Sequence, residues 1–198
     1  MRINRIVSQI DKCEVLMDVG CDHGKVSELV LKRSLCKRLI AVDISEKCLA
    51  KARKRLCGYD NVTFAVGDGI VSAEAEPDFI VIAGIGGHTI RDILAAYDGN
   101  ATLLLSPQSH AELVREHILR RGYEITADSC FEDGGKFYDL IKAVYTGKPT
   151  ASDERHLKYG RYEVPNDALQ KRLARMLAKL PEGGEKYIEV QEVLKWQK

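Results

Sequence analysis

The sequence predicts an open α/β protein with a mostly parallel sheet and helices on both faces, and three observations carry that expectation. Short apolar runs at 15–19, 39–42, 62–66 and 79–83 alternate with segments whose apolar residues recur at helical spacing. The first run ends in a glycine turn, Asp18-Val19-Gly20-Cys21-Asp22-His23-Gly24, and the second ends in a carboxylate, Asp43. The run Phe79-Ile80-Val81-Ile82-Ala83 is continuously apolar, as a strand buried on both faces should be.

Taken in order, Ile3, Ile6, Val7 and Ile10 give 2–10 a helical spacing, and strand 15–19 follows. A helix over 24–34 leads to strand 39–42 and a helix over 46–56. Ser45 is a candidate cap for that second helix, and Lys51, Arg53, Lys54 and Arg55 lie toward its C-terminal end, where positive charge is favoured. Strand 62–66 runs into Gly67-Asp68-Gly69, and strand 79–83 into Gly84-Ile85-Gly86-Gly87-His88-Thr89, with His88 read as a helix-start residue. A strand at 101–105, the loop Ser106-Pro107-Gln108 and a helix at 111–120 come next. Strands at 124–128 and 138–144, separated by a glycine-containing turn at 131–137, predict a hairpin that finishes the sheet with an antiparallel edge.

The pattern breaks at 146–149, a linker. Asn166 then caps a helix with apolar Leu169, Leu173, Met176, Leu177 and Leu180, Pro181-Glu182-Gly183-Gly184 turns it, and Tyr187, Val190, Val193 and Leu194 make a second stripe. The expected organisation is a main domain at 1–147 and a linker with a short C-terminal helical hairpin at 148–198.

A chain of 198 residues, 45% hydrophobic, can bury one substantial core. Its net charge of +1 excludes a global field for nucleic acid, so any such surface is a local patch. Lys171, Arg172, Arg175 and Lys179 form one candidate patch, which suits RNA phosphates or a merely solvated face. The six cysteines include no C-x-x-C pair and no ligand cluster with a nearby histidine, so no metal centre is expected and the thiols read as reduced. Without a signal peptide or long apolar span, the expectation is a cytoplasmic protein with no membrane contact, either a monomer or a weak homodimer. Cys21 and His23 stand too close in one loop for a nucleophile and base to share a geometry, so Cys21 is assigned to packing.

The loop 20–24 lacks the G-x-G-x-x-G of a dinucleotide site, and no G-x-x-x-x-G-K-[ST] occurs. A carboxylate, Asp22, points instead toward the ligand, which suits a cationic sulfonium better than phosphates. S-adenosylmethionine is therefore the leading cofactor. Asp43 is the acceptor for its ribose hydroxyls, Asp68 for its adenine amino group, and Gly20 shapes its methionine end. Asp18, Ile44, Gly67, Gly69 and Gly84 complete the candidate cofactor set.

These motifs resemble those of the bacterial tRNA (adenine-22-N1)-methyltransferase family. The resemblance lies in Asp18-Val19-Gly20-Cys21-Asp22-His23-Gly24, Gly67-Asp68-Gly69, Ile82-Ala83-Gly84-Ile85-Gly86-Gly87 and Glu132-Asp133-Gly134-Gly135-Lys136-Phe137-Tyr138, and covers most of 1–145. It implies the Rossmann-like, doubly wound, seven-stranded sheet of class I methyltransferases, with one antiparallel edge strand and a C-terminal helical hairpin that helps hold tRNA. It also implies methyl transfer to adenine N1 in the D-loop region. On that reading Asp22, His23 and Gly86 are the catalytic candidates, with Asp22 either serving the base or holding the cofactor amine. Gly87, Lys171, Arg172 and Arg175 are the substrate-binding candidates, and Tyr123, Phe137 and Tyr138 are candidates for stacking. Three alternatives stay open: a methyltransferase for another RNA, a small molecule or a protein; a non-catalytic tRNA-binding protein; and a nicotinamide-dependent reductase.

Overall fold

The computed structural model describes residues 2–71 and 76–197. In chain order the elements are α1 (Arg2–Val7), β1 (Cys13–Val19), α2 (Lys25–Lys32), β2 (Cys36–Asp43), α3 (Glu46–Arg55), β3 (Val62–Val66) and β4 (Phe79–Ala83). There follow α4 (Gly87–Ala95), β5 (Thr102–Ser106), α5 (Ala111–Arg120), β6 (Tyr123–Asp133), β7 (Lys136–Tyr145), α6 (Glu154–Tyr159), α7 (Asp167–Leu177) and α8 (Glu185–Lys195). One seven-stranded sheet runs in the order β3-β2-β1-β4-β5-β7-β6. Strands β1 to β5 are parallel, and β7 runs antiparallel between β5 and β6. The expected mostly parallel sheet with its antiparallel edge is therefore present.

Alternate residues of the central strands feed two cores, because successive side chains of a strand point to opposite faces. Met17, Val19, Ile40, Val42, Ile80, Ile82, Leu103 and Leu105 meet Ile90, Leu94, Val114 and Ile118 of α4 and α5. On the other face Leu16, Leu39, Ala41, Val81 and Leu104 meet Ile6, Val7, Val30, Leu31, Leu49 and Ala52 of α1, α2 and α3. This two-sided burial explains why the central strands are almost unbroken apolar runs.

The hairpin departs from the sequence expectation. Its strands pair down to Asp133 opposite Lys136, so most of the predicted 131–137 turn is strand. Only Gly134 and Gly135, at φ +57° and +76°, turn the chain. Two consecutive positive-φ residues make the tight turn that matches strand twist. A register shift between Ile125 and Ala127 marks a bulge in β6.

The segment read as linker also carries a helix. α6 is capped by Asp153, whose side chain accepts from the amides of Arg155 and His156. α7 is capped by Asn166, which accepts from Leu169 N–H. Tyr159, Tyr162, Leu169, Leu173, Val190 and Val193 form a third core that includes Cys130 of β6. The C-terminal helices thus rest on the long hairpin.

Candidate active site

Strands β2 and β4 flank β1, and the chain leaves β1 toward one side of the sheet and returns through β4 on the other. A crevice opens at the carboxyl ends of strands where the order reverses in this way, and ligands of open α/β sheets bind there. The loop from β1 to α2 occupies this point. Gly20, Asp22 and Gly24 have φ of +71°, +50° and +70°. A Cβ on Gly24 would stand 3.2 Å from Ala52 Cβ, so the approach of α3 itself demands glycine there. Asp22 is a non-glycine residue in left-handed backbone, and such local strain persists only where the surroundings hold it.

Asp43 provides that hold. Its Oδ2 accepts from Asp22 N–H at 2.8 Å and its Oδ1 from Ser45 N–H at 2.9 Å. Gly20 N–H and Cys21 N–H both donate to Val42 O at 2.9 Å. Asp43 therefore locks the glycine loop to the end of β2, a structural task that its pattern in the sequence does not announce. Each carboxylate oxygen keeps a further lone pair for a ribose hydroxyl.

Asp18 is buried and accepts from Ser27 Oγ at 2.6 Å. Burial pushes its carboxyl up to about 6, outweighing the hydrogen bonds from Ser27 that pull it down. Cys21 is buried as expected, and burial followed by the charges of Asp18 and Asp43 pushes its thiol far above the usual range, which makes it a poor nucleophile.

Asp18, Gly20, Asp22, His23 and Ala83 line one cavity of about 290 Å³ together with Arg2, Lys25 and Asp133. Sequence reasoning missed Arg2, whose place on a short terminal helix carries no motif. Its Nη2 lies 3.3 Å from where a Gly84 Cβ would stand, and its guanidinium stacks over Tyr138 at 5.1 Å. A larger cavity, about 560 Å³, lies between α5, β6 and segment 146–164 and contains none of the motif residues. The motif residues line the smaller one.

The residues present fit S-adenosylmethionine. An α-amino acid end carries an ammonium and a carboxylate, and the cavity sets Asp18 and Asp22 against Arg2 and Lys25. Ile44, beside Asp43, is 72% exposed and offers an apolar face for a ring. Asp43 pairs with Val66 across β2 and β3, which brings the Gly67-Asp68-Gly69 turn, with Asp68 exposed, to the same rim.

Several candidate residues stand elsewhere. Gly87 is buried against the 109–110 loop, where an added Cβ would lie 2.3 Å from His110 O, so its lack of a side chain serves packing and it does not face a substrate. Gly86 is the residue before the first turn of α4, and its carbonyl accepts from Ile90 N–H. His23 turns toward α3: its Nε2 accepts from Lys51 Nζ at 3.0 Å and its carbonyl from Arg55 Nε at 2.8 Å. Tyr123 is buried at the opposite end of β6, donating to Gly99 O, and cannot stack on a base at this crevice. Phe137 lies under Arg175 at 4.7 Å, while Tyr138 stacks on Phe131.

The basic stripe of α7 is largely spent within the molecule. Arg172 Nη1 donates to the buried carboxylate of Asp139 at 2.9 Å, so Arg172 is an internal ion-pair residue and not a phosphate contact. Arg175 donates to Glu132 Oε1 at 2.9 Å and Gly135 O at 3.1 Å, which pins α7 to the hairpin tip. Lys171 is 63% exposed and 3.8 Å from Glu132, the freest of the three. The fold also brings Cys48 beside His23, which the spacing of the cysteines does not reveal.

Sheet order, strained glycine loop and paired carboxylates together define a Rossmann-like α/β protein built to hold a nucleoside-bearing cofactor at its switch point. Residues 1–141 match a family described as methyltransferase domain. The chain is 28% identical over 178 residues to the tRNA (adenine(22)-N(1))-methyltransferase of Bacillus subtilis, covering 86% of this chain and 75% of that protein. It is 30% identical over 149 residues to a putative tRNA methyltransferase of Mycoplasma pneumoniae, covering 72% and 70% respectively. A crystal structure of a putative tRNA (m1A22) methyltransferase of Streptococcus pneumoniae in complex with S-adenosyl-L-methionine superposes with a TM-score of 0.85 at 20% identity, over 99% of this chain and 96% of that one. The chain belongs to the methyltransferase-domain family, and its resemblance to the bacterial tRNA (adenine-22-N1)-methyltransferases is borne out.

Proposed function

We propose that this protein transfers the methyl group of S-adenosylmethionine to N1 of adenine 22 in tRNA, in the cytoplasm. The observation that carries this reading is the cavity at the switch point, where Asp18, Gly20, Asp22 and Arg2 converge one strand away from Asp43. The likeness to the Bacillus subtilis enzyme supports the choice of substrate. Among the described residues no helix is long and apolar enough to cross a membrane.

S-adenosylmethionine, when bound, supplies a methyl group on a sulfonium that leaves as a neutral thioether. The protein's share is positioning and electrostatics, and no side-chain nucleophile is required. Asp43 holds the ribose hydroxyls and keeps the β1–α2 loop in register, while Asp18 and Arg2 orient the amino-acid end. Alkylation at N1 places positive charge on the target adenine. Asp22, whose carboxylate is 65% exposed at the cavity mouth, stabilises that charge and accepts the N6 proton. The Gly84–Gly86 backbone, with no side chains at either glycine, leaves room for the base.

Incubation with radiolabelled S-adenosylmethionine and unmodified tRNA, beside an Asp22→Ala protein, tests this reading. The expected product is labelled 1-methyladenosine in tRNA, reduced at least about 100-fold in the variant. Label in another nucleoside of the tRNA moves the target to a different base and overturns adenine N1, and cofactor binding without RNA label overturns the tRNA assignment.

A further inference from the structure

The β1–α2 loop and the first turn of α3 bring together three side chains whose chemistry the methyl-transfer reading leaves unused as a set. Asp22, His23 and Cys48 each present a donor atom, and those atoms lie within 4.8 Å of one another. His23 Nε2 stands 3.4 Å from Asp22 Oδ1. A tetrahedral ion about 2.0–2.3 Å from its ligands spaces them roughly 3.3–3.8 Å apart. The nitrogen–oxygen pair is already at that separation, and the partly buried Cys48 thiol, within 4.8 Å of both, has to turn toward them to complete the set.

The backbone that carries these donors is also held in place. Asp22 N–H is tied to Asp43, and His23 O to Arg55. Ser45 caps α3 by accepting from Cys48 N–H at 3.3 Å. Lys51 Nζ donates to His23 Nε2 at 3.0 Å, so this nitrogen's lone pair points outward and already faces a cation. Lys51 is exposed and can swing away, leaving the lone pair to a stronger Lewis acid.

We infer that Asp22, His23 and Cys48 form a binding site for a divalent transition metal of the zinc type, and that filling it excludes the cofactor. An imidazole, a thiolate and a carboxylate are a borderline-soft donor set, which favours zinc over magnesium or calcium and leaves a fourth position for water. Binding releases the thiol proton of Cys48. The ion takes the carboxylate of Asp22, and with the Cys48 thiolate balancing its second charge the filled site is neutral, so the negative charge at the mouth of the cavity that receives a sulfonium is lost. This competition rests on the cofactor site proposed above, whereas the metal site itself does not. The ion is an inhibitor here, and methyl transfer needs none.

Cobalt(II) added to the purified full-length protein, without cofactor or tRNA, tests the site directly. The expected result is a thiolate-to-cobalt charge-transfer band with the visible bands of a tetrahedral complex. Cys48→Ser should lose the charge-transfer band and at least about tenfold in zinc affinity, and Lys51→Met should bind zinc more tightly. Absence of the band in the parent protein, or its survival in Cys48→Ser, overturns the site. In a methylation assay zinc should inhibit the parent competitively with S-adenosylmethionine, while Cys48→Ser keeps the parent's basal rate and resists inhibition. Simultaneous binding of zinc and cofactor without mutual weakening overturns the competition. Cobalt binding through Cys48 in a protein with no methyltransferase activity upholds the metal site and counts against the proposed function.

Discussion

Asp18 shows how a single buried carboxylate ties ligand binding to pH. Its carboxyl is raised to about 6 by burial, so the folded protein holds a proton there that the unfolded chain, with a value near 3.8, has already lost. Between those values the folded state binds more protons, and stability falls as pH rises; above about 6 the penalty is constant. Asp18→Asn removes that penalty, and thermal melts should show a flatter pH profile for the variant across pH 4–6. The ligand ammonium favours the ionised form, so S-adenosylmethionine affinity should weaken as pH drops through about 6, and this dependence should vanish in Asp18→Asn. Arg2→Ala removes the cation opposite the cavity carboxylates; titration calorimetry should show about tenfold weaker cofactor binding with the fold intact.

Among the elements, the junction between the sheet and the C-terminal helices depends on a ladder of buried charges. Arg115 of α5 donates to Asp128 of β6 at 2.8 and 2.9 Å, to Asp139 of β7 at 3.0 Å and to Leu157 O of α6 at 2.9 Å. Arg172 of α7 closes the ladder on Asp139. Burial alone would raise the carboxyl of Asp139, but the two guanidiniums overcome it and hold it below its usual value. Its stabilising share is therefore present above about pH 4 and lost as pH falls through the lowered folded value. Arg115→Ala leaves the Asp128 carboxylate buried without its partner and Asp139 with Arg172 alone, and should cost about 3–5 kcal/mol in denaturant unfolding. Arg172→Ala should cost about 1.5–3 kcal/mol, because Asp139 retains Arg115. The amphipathic spacing of α7 is legible in the sequence, but the destination of Arg172 is not. An arginine on a helix looks the same in one dimension whether it faces water or a carboxylate thirty-three residues away.

Across the whole molecule, the proposed function brings tRNA to a cavity at the carboxyl end of the central strand β1 while the C-terminal helices stand on the β6–β7 hairpin. Phosphate contacts release counterions, so the salt dependence of tRNA affinity counts them. Lys171→Ala should lower the slope of log affinity against log salt by about one, whereas Arg172→Ala should leave that slope unchanged while lowering stability. Filter binding at several salt concentrations, read beside unfolding curves, separates the two effects. The outcome assigns the RNA surface to the exposed cations and the internal ladder to the placement of α7.

Apolar periodicity, the glycine turn after β1 and the carboxylate after β2 are local signals, so the alternating order of strands and helices, the parallel sheet and the cofactor-binding ends of the strands are legible in one dimension. The caps of α3 and α7, Ser45 and Asn166, were legible for the same reason. Tertiary structure alone decided which of the marked residues share a space. It made Asp43 the clamp on the strained loop, placed Arg2 over Tyr138 at the cavity, sent Tyr123 to the far end of β6 and set Cys48 beside His23. Those juxtapositions join residues from different elements, and their distances follow from how the sheet twists and the helices pack.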